Sequence, residues 1–453
     1  MKPRFLMAAI AAAALSAACG GGGNGDQSPA IKYTAVVSFG DSLSDPGAYA
    51  QGLINAKIIA DTSKGGMFTV NGIAGAPGST PVPSYNWAQL VAASAVGKPS
   101  CAARAGGFGT PPAAVTGCTN YAQGGSRVKN AKGVGNPVGA GFTGAALTEP
   151  VVTQIANYLA VNGGSFSGTE LVTLLAGAND LFGATDRLTA DANTAGGAAL
   201  AQSLVTQLAA LAPPANQLAA SAAIGTAIGT EAVKPTATAQ SIIGAAVVAA
   251  ATHAATNGYT TTALANATAI GTAAGAAAVA AGNAYAAGTG AANAMADMAA
   301  AATDQADAIK GMIAKGAKHI VVVNIPDVST TPMALAKDKS QQQLVLVLTS
   351  TFNATLKAAL QPGGVTLPEV LLVDGFTEVQ HMTANPSAFG ITNVTDMACG
   401  ANALSSSLVC NPGNLVAGDV SHYFYADSVH PTPYGHKLTA QVVNRALILA
   451  GWL

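Results

Sequence analysis

Four short apolar segments, separated from one another by long stretches, constrain the fold of this chain more than any other feature. They are rich in valine, isoleucine and leucine, and each ends at glycine, proline or a small polar residue. Apolar runs of this length are typical of strands that are buried on both faces of a sheet. They comprise residues 33–40, 171–176, 318–326 and 369–374. We therefore predict an α/β fold, a three-layer α/β/α sandwich with a mainly parallel central sheet.

The stretches between these segments carry helical periodicity. Apolar residues recur at helical spacing in five ranges, which we predict to be helices. They are residues 85–96, 148–159, 297–315, 341–360 and 437–449. Residues 45–85 are rich in glycine and proline, which predicts loops with short helices.

Residues 190–290 differ in composition from the rest of the chain. Alanine dominates, and no Asp, Glu, Lys or Arg occurs between Lys234 and Asp297. We predict an Ala-rich helical insertion that is not apolar enough for a membrane span. Soluble surfaces normally carry charge, so this insertion should be buried against its own helices, the core or a lipid surface. It could be a cap over a binding site, a lipid-facing surface or a neutral decoration.

Charge and length exclude some classes of function. The chain has 453 residues, of which 9% are charged, and its formal net charge is −1. This is long enough for one large domain or two ordinary ones. A near-neutral chain gives no reason to expect nucleic acid as a partner.

The first residues have the pattern of an export signal. Lys2 and Arg4 precede an apolar run, residues 5–15, which is too short for a bilayer span. Small residues then lead to Cys19, which resembles the lipidated cysteine of bacterial lipoproteins, although Ser16 departs from that motif. We predict a signal peptide over residues 1–18, a flexible tether over 19–30 and one domain over 31–453. The protein would be an outer-membrane lipoprotein or, alternatively, secreted without an anchor.

The remaining four cysteines agree with an oxidising compartment. They form two pairs that are close in sequence, Cys101 with Cys118 and Cys399 with Cys410, in loop-like regions. Three pairings are possible, and the two local disulfides are the simplest. Zinc is the alternative, but no Cys-x-x-Cys spacing or histidine cluster accompanies them.

Small polar residues at strand ends and near the end of the chain form a recognisable series. The first strand runs into Gly40-Asp41-Ser42-Leu43, and the second candidate strand into Gly177-Ala178-Asn179-Asp180. Together with two further segments they resemble, in order, the motif blocks of the GDSL (SGNH) hydrolases. The further segments are Asn120-Tyr121-Ala122-Gln123-Gly124-Gly125 and Asp427-Ser428-Val429-His430-Pro431. The resemblance covers almost the whole chain outside the signal and the insertion, and it implies a flavodoxin-like sheet.

The resemblance also implies roles for individual residues. Ser42 would be the nucleophile, His430 its general base and Asp427 the carboxylate that orients His430. This set suits the chemistry, because a serine hydroxyl needs a neighbouring base and an imidazole titrates near neutral pH. The oxyanion hole would consist of the Ser42 N–H, the Gly125 N–H and the Asn179 amide.

Alternatives exist for some of these residues. Asp419 and His422 have the same spacing as Asp427 and His430, but residues 431–436 continue the family block only after His430. Gly125 could be a turn glycine and Asn179 a helix cap. We expect turn or capping roles for Asp45 and Asp180, a structural role for His436, and no special role for His253 or His319.

We therefore expect an exported carboxylic-ester hydrolase, a lipase or esterase, that works through an acyl-serine and needs no cofactor or metal. The long chain and the Gly-Asp-Ser-Leu-Ser-Asp start resemble the lipase/phospholipase branch, so the expected partner is an ester with an apolar acyl chain. The alternatives are an acyltransferase that uses the same site and an inactive, surface-tethered binding module.

Overall fold

The computed structural model describes residues 31–72, 84–135 and 147–453. The predicted signal peptide, Cys19 and the tether lie outside these residues. A parallel four-stranded sheet organises the described part of the chain. Its strands are β1 (Ala35–Gly40), β4 (Glu170–Leu175), β5 (His319–Val323) and β6 (Val370–Val373), in that spatial order. The predicted α/β class and the mainly parallel sheet are confirmed.

The twelve helices named here all lie in the described residues. Those before the insertion are α1 (Ala50–Asn55), α2 (Trp87–Val96), α3 (Val151–Val161) and α4 (Ala178–Ala209). Those of the insertion and its return are α5 (Gln217–Ala232), α6 (Ala239–Thr256), α7 (Ala267–Tyr285) and α8 (Ala291–Ala314). The last four are α9 (Pro332–Leu335), α10 (Lys339–Leu360), α11 (Gly375–Ala384) and α12 (Pro433–Leu449).

Alternate residues of each strand face opposite layers of the sandwich. Val37 and Phe39 of β1 pack with α3, the first turns of α4, α8 and α10. Val36, on the other face, packs with α2 and α12. Both faces of the sheet are therefore covered, which explains why the strands are apolar at nearly every position.

An extended segment widens the sheet beyond β1. The Ser38 N–H donates to the Thr119 carbonyl at 3.1 Å, and the Tyr121 N–H donates to the Ser38 carbonyl at 2.8 Å. Ser38 and Asn120 are in parallel register. This segment ends next to Gly124 and Gly125, so it delivers both glycines to the same sheet edge as the end of β1.

Residues 190–290, which comprise the later part of α4, helices α5 to α7 and the turn before α8, form a long projection that we call the helical arm. The Arg187 guanidinium contacts the Asp297 carboxylate at 2.5 Å, and the Tyr285 hydroxyl donates to Asp191 at 3.1 Å. Helices α7 and α8 therefore return antiparallel to α4, joined through a π-helical turn, Ala286–Gly290. Helix α4 has 32 residues, so it is about 48 Å long.

The helical arm has its own apolar core, separate from those of the sheet. Leu204 of α4, Ile224 of α5, Val247 of α6 and Ile270 of α7 are buried together. The sheet cores contain no residue between Leu188 and Ala294 among those the structure describes. The prediction of a helical insertion agrees with this arrangement, and burial against its own helices explains how a nearly charge-free segment folds.

Two small sheets and two disulfides complete the described chain. Strands β2 (Arg104–Gly107) and β3 (Thr110–Ala114) form a hairpin between Cys101 and Cys118, where the sequence predicts only a loop. Strands β7 (Asn393–Met397) and β8 (Tyr423–Tyr425) pair in parallel. Cys101 is bonded to Cys118 and Cys399 to Cys410. The predicted local pairing is confirmed, and these sulfurs are not available as zinc ligands.

Two helices in the described ranges have the length and composition of a membrane span. They are Ala239–Thr256 of the helical arm and Lys339–Leu360, which is α10. Helix α10 buries Leu348, Phe352 and Leu356 against the sheet layer, as expected for a core helix.

Candidate active site

The turn after β1 presents Ser42 at the carboxyl edge of the sheet. Gly40 has φ +152°, and a Cβ there would lie 2.3 Å from the Leu175 carbonyl oxygen, so the turn requires glycine. The side-chain amide of buried Gln154 accepts from the Gly40 N–H at 2.9 Å and donates to the Gly40 carbonyl at 2.8 Å. Asp41 Oδ1 accepts from the Leu43 N–H at 3.0 Å. These hydrogen bonds fix the backbone on both sides of Ser42.

Ser42, His430 and Asp427 form a continuous hydrogen-bonded series. The Ser42 Oγ lies 2.8 Å from His430 Nε2. His430 Nδ1 lies 2.9 Å and 2.8 Å from the two carboxylate oxygens of Asp427. An ionised carboxylate can only accept, so Nδ1 carries the imidazole proton and Nε2 accepts from the serine hydroxyl. The structure thus joins residues that are 388 positions apart in the sequence.

Asp427 is fixed by backbone donors from two segments. Its Oδ1 accepts from the N–H groups of Val429 at 3.0 Å and His430 at 2.8 Å. Its Oδ2 accepts from the Ser407 N–H at 2.8 Å. Ser407 lies between Cys399 and Cys410, so the second disulfide loop supports the carboxylate.

Asp427 and His430 each shift the pKa of the other in the direction that favours the charged form of both. Burial raises the pKa of Asp427, but the His430 imidazole and the hydrogen bonds it accepts outweigh this and hold its pKa well below the ordinary value. Burial lowers the pKa of His430, but the Asp427 carboxylate, with a smaller contribution from Asp41, raises it above 6.5. The imidazolium is therefore stabilised beside an ionised carboxylate.

Gly125 and Asn179 lie at the same cavity as Ser42. Gly125 has φ +79°, and a Cβ there would lie 2.2 Å from the Val134 carbonyl oxygen. No hydrogen bond from the N–H of Ser42 or Gly125 to another described residue is present. Asn179 Nδ2 donates one hydrogen to the Ser126 carbonyl at 2.9 Å, which leaves its second amide hydrogen for another acceptor.

Asp45 joins the Ser42 turn to the Gly124–Gly125 turn. Its Oδ1 accepts from the N–H groups of Gly47 at 2.9 Å and Ala48 at 2.7 Å, and its Oδ2 accepts from the Gly124 N–H at 2.9 Å. This is a turn role, as expected from the sequence. The link across 79 residues to Gly124 could not be read from the motif, because nothing in the sequence pairs the two turns.

Two further carboxylates, buried Asp41 and partly buried Asp180, lie in the segments that follow β1 and β4. Burial raises the pKa of Asp41 to about 7 and that of Asp180 to about 6. Asp180 Oδ2 accepts from the Val128 N–H at 3.0 Å. Asp41 Oδ2 is buried without a hydrogen-bond partner in the described part of the chain. No role was predicted for Asp41, because its burial next to the nucleophile is not visible in the sequence pattern.

The series opens onto a cavity of about 280 Å³. Its walls come from the ends of β1, β4 and β5, the first turns of α4, and helices α11 and α12. They are mainly apolar, and they include Phe68, whose ring centroid lies 5.0 Å from that of His430. None of the described residues that line this cavity belongs to the helical arm.

The other histidines are placed elsewhere or have other partners. His422 Nδ1 lies 2.8 Å from the Gly390 carbonyl, and the His422 ring stacks on Tyr434. Ser42 therefore contacts His430, and His422, the alternative from the sequence, has other partners. His253 contacts the Tyr259 hydroxyl in the helical arm, and His319 packs between the rings of Tyr33 and Trp452. His436 is buried and lines the cavity, and burial lowers its pKa to about 3.

Fold and site together define a class of protein. It is an α/β protein with a serine–histidine–aspartate series at the carboxyl edge of a parallel sheet, which is the geometry of serine hydrolases.

Similarity to known proteins narrows this class. A GDSL esterase/lipase of Arabidopsis thaliana is 28% identical over 136 residues, which are 27% of this chain and 36% of the relative. The GDSL esterase/lipase APG of the same plant is 28% identical over 141 residues, 29% of this chain and 40% of the relative. Esterase EstA of Pseudomonas aeruginosa is 32% identical over 143 residues, 30% of this chain and 20% of the relative. No protein-family model matches the chain.

The chain is thus similar to esterases and lipases of the GDSL family over about 30% of its length, which supports membership of that family. The chain spans about a fifth to two fifths of the length of the three relatives.

Proposed function

We propose that this protein is a serine carboxylic-ester hydrolase, a lipase or esterase, with phospholipids among the candidate substrates. The observation that carries the proposal is the 2.8 Å contact between Ser42 Oγ and His430 Nε2, with Asp427 on the opposite ring nitrogen. A serine that is hydrogen-bonded to an oriented imidazole, at the wall of an apolar cavity, is suited to acyl transfer from an ester.

In the proposed acylation, Ser42 Oγ attacks the ester carbonyl carbon while His430 Nε2 takes the hydroxyl proton. The Asp427 carboxylate stabilises the imidazolium that forms. The tetrahedral intermediate then collapses, the bond to the alcohol oxygen breaks, and the imidazolium returns its proton to the departing alcohol. In deacylation a water molecule attacks the acyl carbonyl carbon and gives a proton to His430. The bond to Ser42 Oγ then breaks, the imidazolium returns the proton to Oγ, and the carboxylic acid is released.

The negative charge of each tetrahedral intermediate needs fixed donors. We assign this role to the N–H groups of Ser42 and Gly125 and to the second amide hydrogen of Asn179. The support is that all three residues line one cavity and that the first two N–H groups have no acceptor among the described residues.

A fluorophosphonate probe tests the proposal directly, because it phosphonylates only an activated serine. We expect labelling of Ser42 in the wild type, identified by mass spectrometry of the peptide, and none in Ser42→Ala. Ser44→Ala is the matched control, since it removes a buried hydroxyl from the same turn, and its labelling should persist. A folded wild type that is not labelled would contradict the proposal and favour the inactive binding module.

An acyltransferase would use the same acyl-serine with an alcohol as acceptor in place of water. The two activities are separated by adding a candidate alcohol and measuring the ratio of transfer to hydrolysis. We place hydrolysis first because the proposed acylation and deacylation need no acceptor besides water.

We also propose that the protein is exported and that residues 31–453 act as one hydrolase domain with the helical arm inserted in it. Two disulfides support an oxidising compartment. A signal peptide over residues 1–18 and lipidation at Cys19, followed by the tether over 19–30, are proposals on the sequence pattern alone. Metabolic labelling with a radioactive fatty acid in the wild type and in Cys19→Ala separates an anchored protein from a secreted one.

A further inference from the structure

A second, smaller cavity adjoins the cavity at Ser42. It has a volume of about 20 Å³ and lies between the ends of β5 and β6 and helices α11 and α12. Three residues line both cavities and therefore stand between them: Pro326, Val379 and Thr439.

Beyond these three residues, the lining of the smaller cavity is mainly apolar. Val323, Val373, Met382 and Val443 are buried there and line the smaller cavity. Glu378 also lines it, but its carboxylate contacts the Arg445 guanidinium at 2.6 Å. A cavity of this size and lining has room for about one water-sized group and does not favour a polar one.

Apart from His436 and Thr439 of α12, the polar side chains that line the larger cavity come from other elements. Asp327 and Thr331 follow β5, and Ser406 belongs to the second disulfide loop. On the side of α11 and α12 the lining residues include Val379, Phe424 and Thr439, and the Thr439 hydroxyl already donates to the Gly435 carbonyl at 3.1 Å. An apolar acyl chain whose carbonyl carbon is bonded to Ser42 Oγ is therefore matched best by the α11–α12 side.

We propose that the acyl chain of the ester enters between α11 and α12 and that Val379 and Thr439 set the longest chain that fits. This inference rests on the proposed ester-hydrolase function. Both residues touch the larger cavity on one side and the smaller one on the other, so removing either side chain joins the two spaces. The added space continues the apolar lining and accommodates further methylene groups.

The test is a panel of p-nitrophenyl esters from acetate to palmitate, measured with wild type, Val379→Ala and Thr439→Ala. The readout is kcat/KM for each chain length divided by that for acetate in the same variant. In the opened variants we expect the optimum to move to longer chains by about two carbons. The ratio at the new optimum should rise about fourfold for each methylene group newly buried. Thr439→Phe should move the optimum to shorter chains.

The matched control is Val345→Ala, which removes the same two methyl groups from a buried valine of α10 that lines neither cavity. Its chain-length profile should equal that of the wild type, although its melting temperature falls. Active, folded variants at Val379 and Thr439 with the wild-type profile would overturn this inference and leave the ester hydrolase standing. A folded wild type that is inert on every ester and is not labelled at Ser42 would overturn both.

Discussion

The Asp427 carboxylate accepts hydrogen bonds from three backbone N–H groups and from one imidazole. This set fixes both its position and its ionised state, and it determines which nitrogen of His430 carries the proton. The consequence for function is a pH dependence. His430 must be neutral to accept the Ser42 proton, so activity should rise with pH through a pKa above 6.5.

Asp427→Asn should lower kcat by about four orders of magnitude, because the amide no longer orients the imidazole and stabilises its charge. The acid limb of the kcat/KM profile should also move to lower pH, since the group that raises the pKa of His430 is gone. Asp419→Asn is the control, because Asp419 has the same spacing to His422 and is exposed. A similar loss in Asp419→Asn would indicate that the wrong pair has been chosen.

Asn179→Ala should lower kcat by about 10²–10³-fold and change KM little, because an oxyanion donor acts mainly in the transition state. The variant also loses the hydrogen bond from Asn179 to the Ser126 carbonyl. Asn162→Ala serves as the control, since it loses a comparable 2.8 Å bond to the Tyr158 carbonyl outside the cavity. Equal effects of the two substitutions on kcat would reduce Asn179 to a structural residue.

Asp41→Asn should flatten the pH dependence of stability. The pKa of Asp41 is raised to about 7 in the folded protein, so the folded state binds more protons than the unfolded state between about pH 4 and 7. Stability from this group is full at low pH and is lost as the pH rises through 7. Between pH 5 and 8 the wild type should lose roughly 2 kcal/mol of unfolding free energy that the variant does not lose.

Urea unfolding at pH 5 and pH 8 measures this difference. Asp338→Asn is the comparison, because Asp338 is an exposed helix cap whose pKa is lowered, first by its hydrogen bond with Ser340. It should leave the difference between pH 5 and 8 unchanged. Identical pH slopes for Asp41→Asn and the wild type would mean that Asp41 is ionised without cost at its buried position.

At the scale of structural elements, the second disulfide loop contributes to the site as well as to stability. Its Ser407 N–H donates a hydrogen bond to the Asp427 carboxylate. Replacing Cys399 and Cys410 by serine should lower the unfolding free energy by about 3 kcal/mol and also lower kcat. Replacing Cys101 and Cys118 should cost about the same stability, since that loop is of similar length. It should affect kcat less, because the neighbouring residues 119–123 remain hydrogen-bonded to β1.

The comparison is made on folded protein at a temperature well below both melting points. If kcat falls equally in both double variants, the Ser407 contact is not what links the loop to the reaction.

The sequence predicts the elements of the sheet well, because buried parallel strands have an unmistakable apolar pattern. Strands β1, β4, β5 and β6 all fall within the four predicted segments or within one residue of them. The hairpin of β2 and β3 was not predicted, since Thr110-Pro111-Pro112 and the glycines around it lack strand periodicity. Its strands instead depend on pairing with each other and on the disulfide at their base.

The residues proposed for the site were found by motif, and the structure brings Ser42, Asp427 and His430 into contact. Their roles stay predictions until they are measured. The sequence does not predict the hydrogen bonds that hold the site residues in place, because each of them joins distant segments. They are the bonds of Gln154 with Gly40, of Asp45 with Gly124 and of Ser407 with Asp427. No local pattern encodes such contacts, because they depend on how the elements pack.

At the scale of the whole molecule, the helical arm contributes no residue to the described lining of the cavity at Ser42. Asp304 of α8 pairs with Lys129 at 2.8 Å, and Asp180 of α4 binds the Val128 N–H, so both helices pass the sheet edge at the level of Ser42. The arm therefore extends beyond that edge. Its exposed apolar residues include Val248 and Leu264, which are 58% and 66% exposed.

Replacing residues 190–290 by a short glycine–serine linker should leave kcat/KM for soluble short-chain esters within about threefold, because the arm lines no part of the described cavity. Activity on an emulsified or vesicular ester should fall by more than tenfold if the nearly charge-free arm rests on lipid. Val248→Lys with Leu264→Lys should reproduce the loss, whereas Val365→Lys, 73% exposed outside the arm, should not.

A folded deletant that retains both activities would make the arm a neutral decoration. A deletant that loses short-chain activity as well would favour a cap that reaches the site by a movement of the arm.

The contact between Ser42 and His430 also governs when the protein can become active during its biosynthesis. The two side chains are separated by 388 positions, so a ribosome-bound chain presents the hydroxyl long before the imidazole has been translated. No nascent chain that ends before His430 contains the assembled pair. Any activity that depends on this pair is therefore withheld until the segment that carries His430 has been translated.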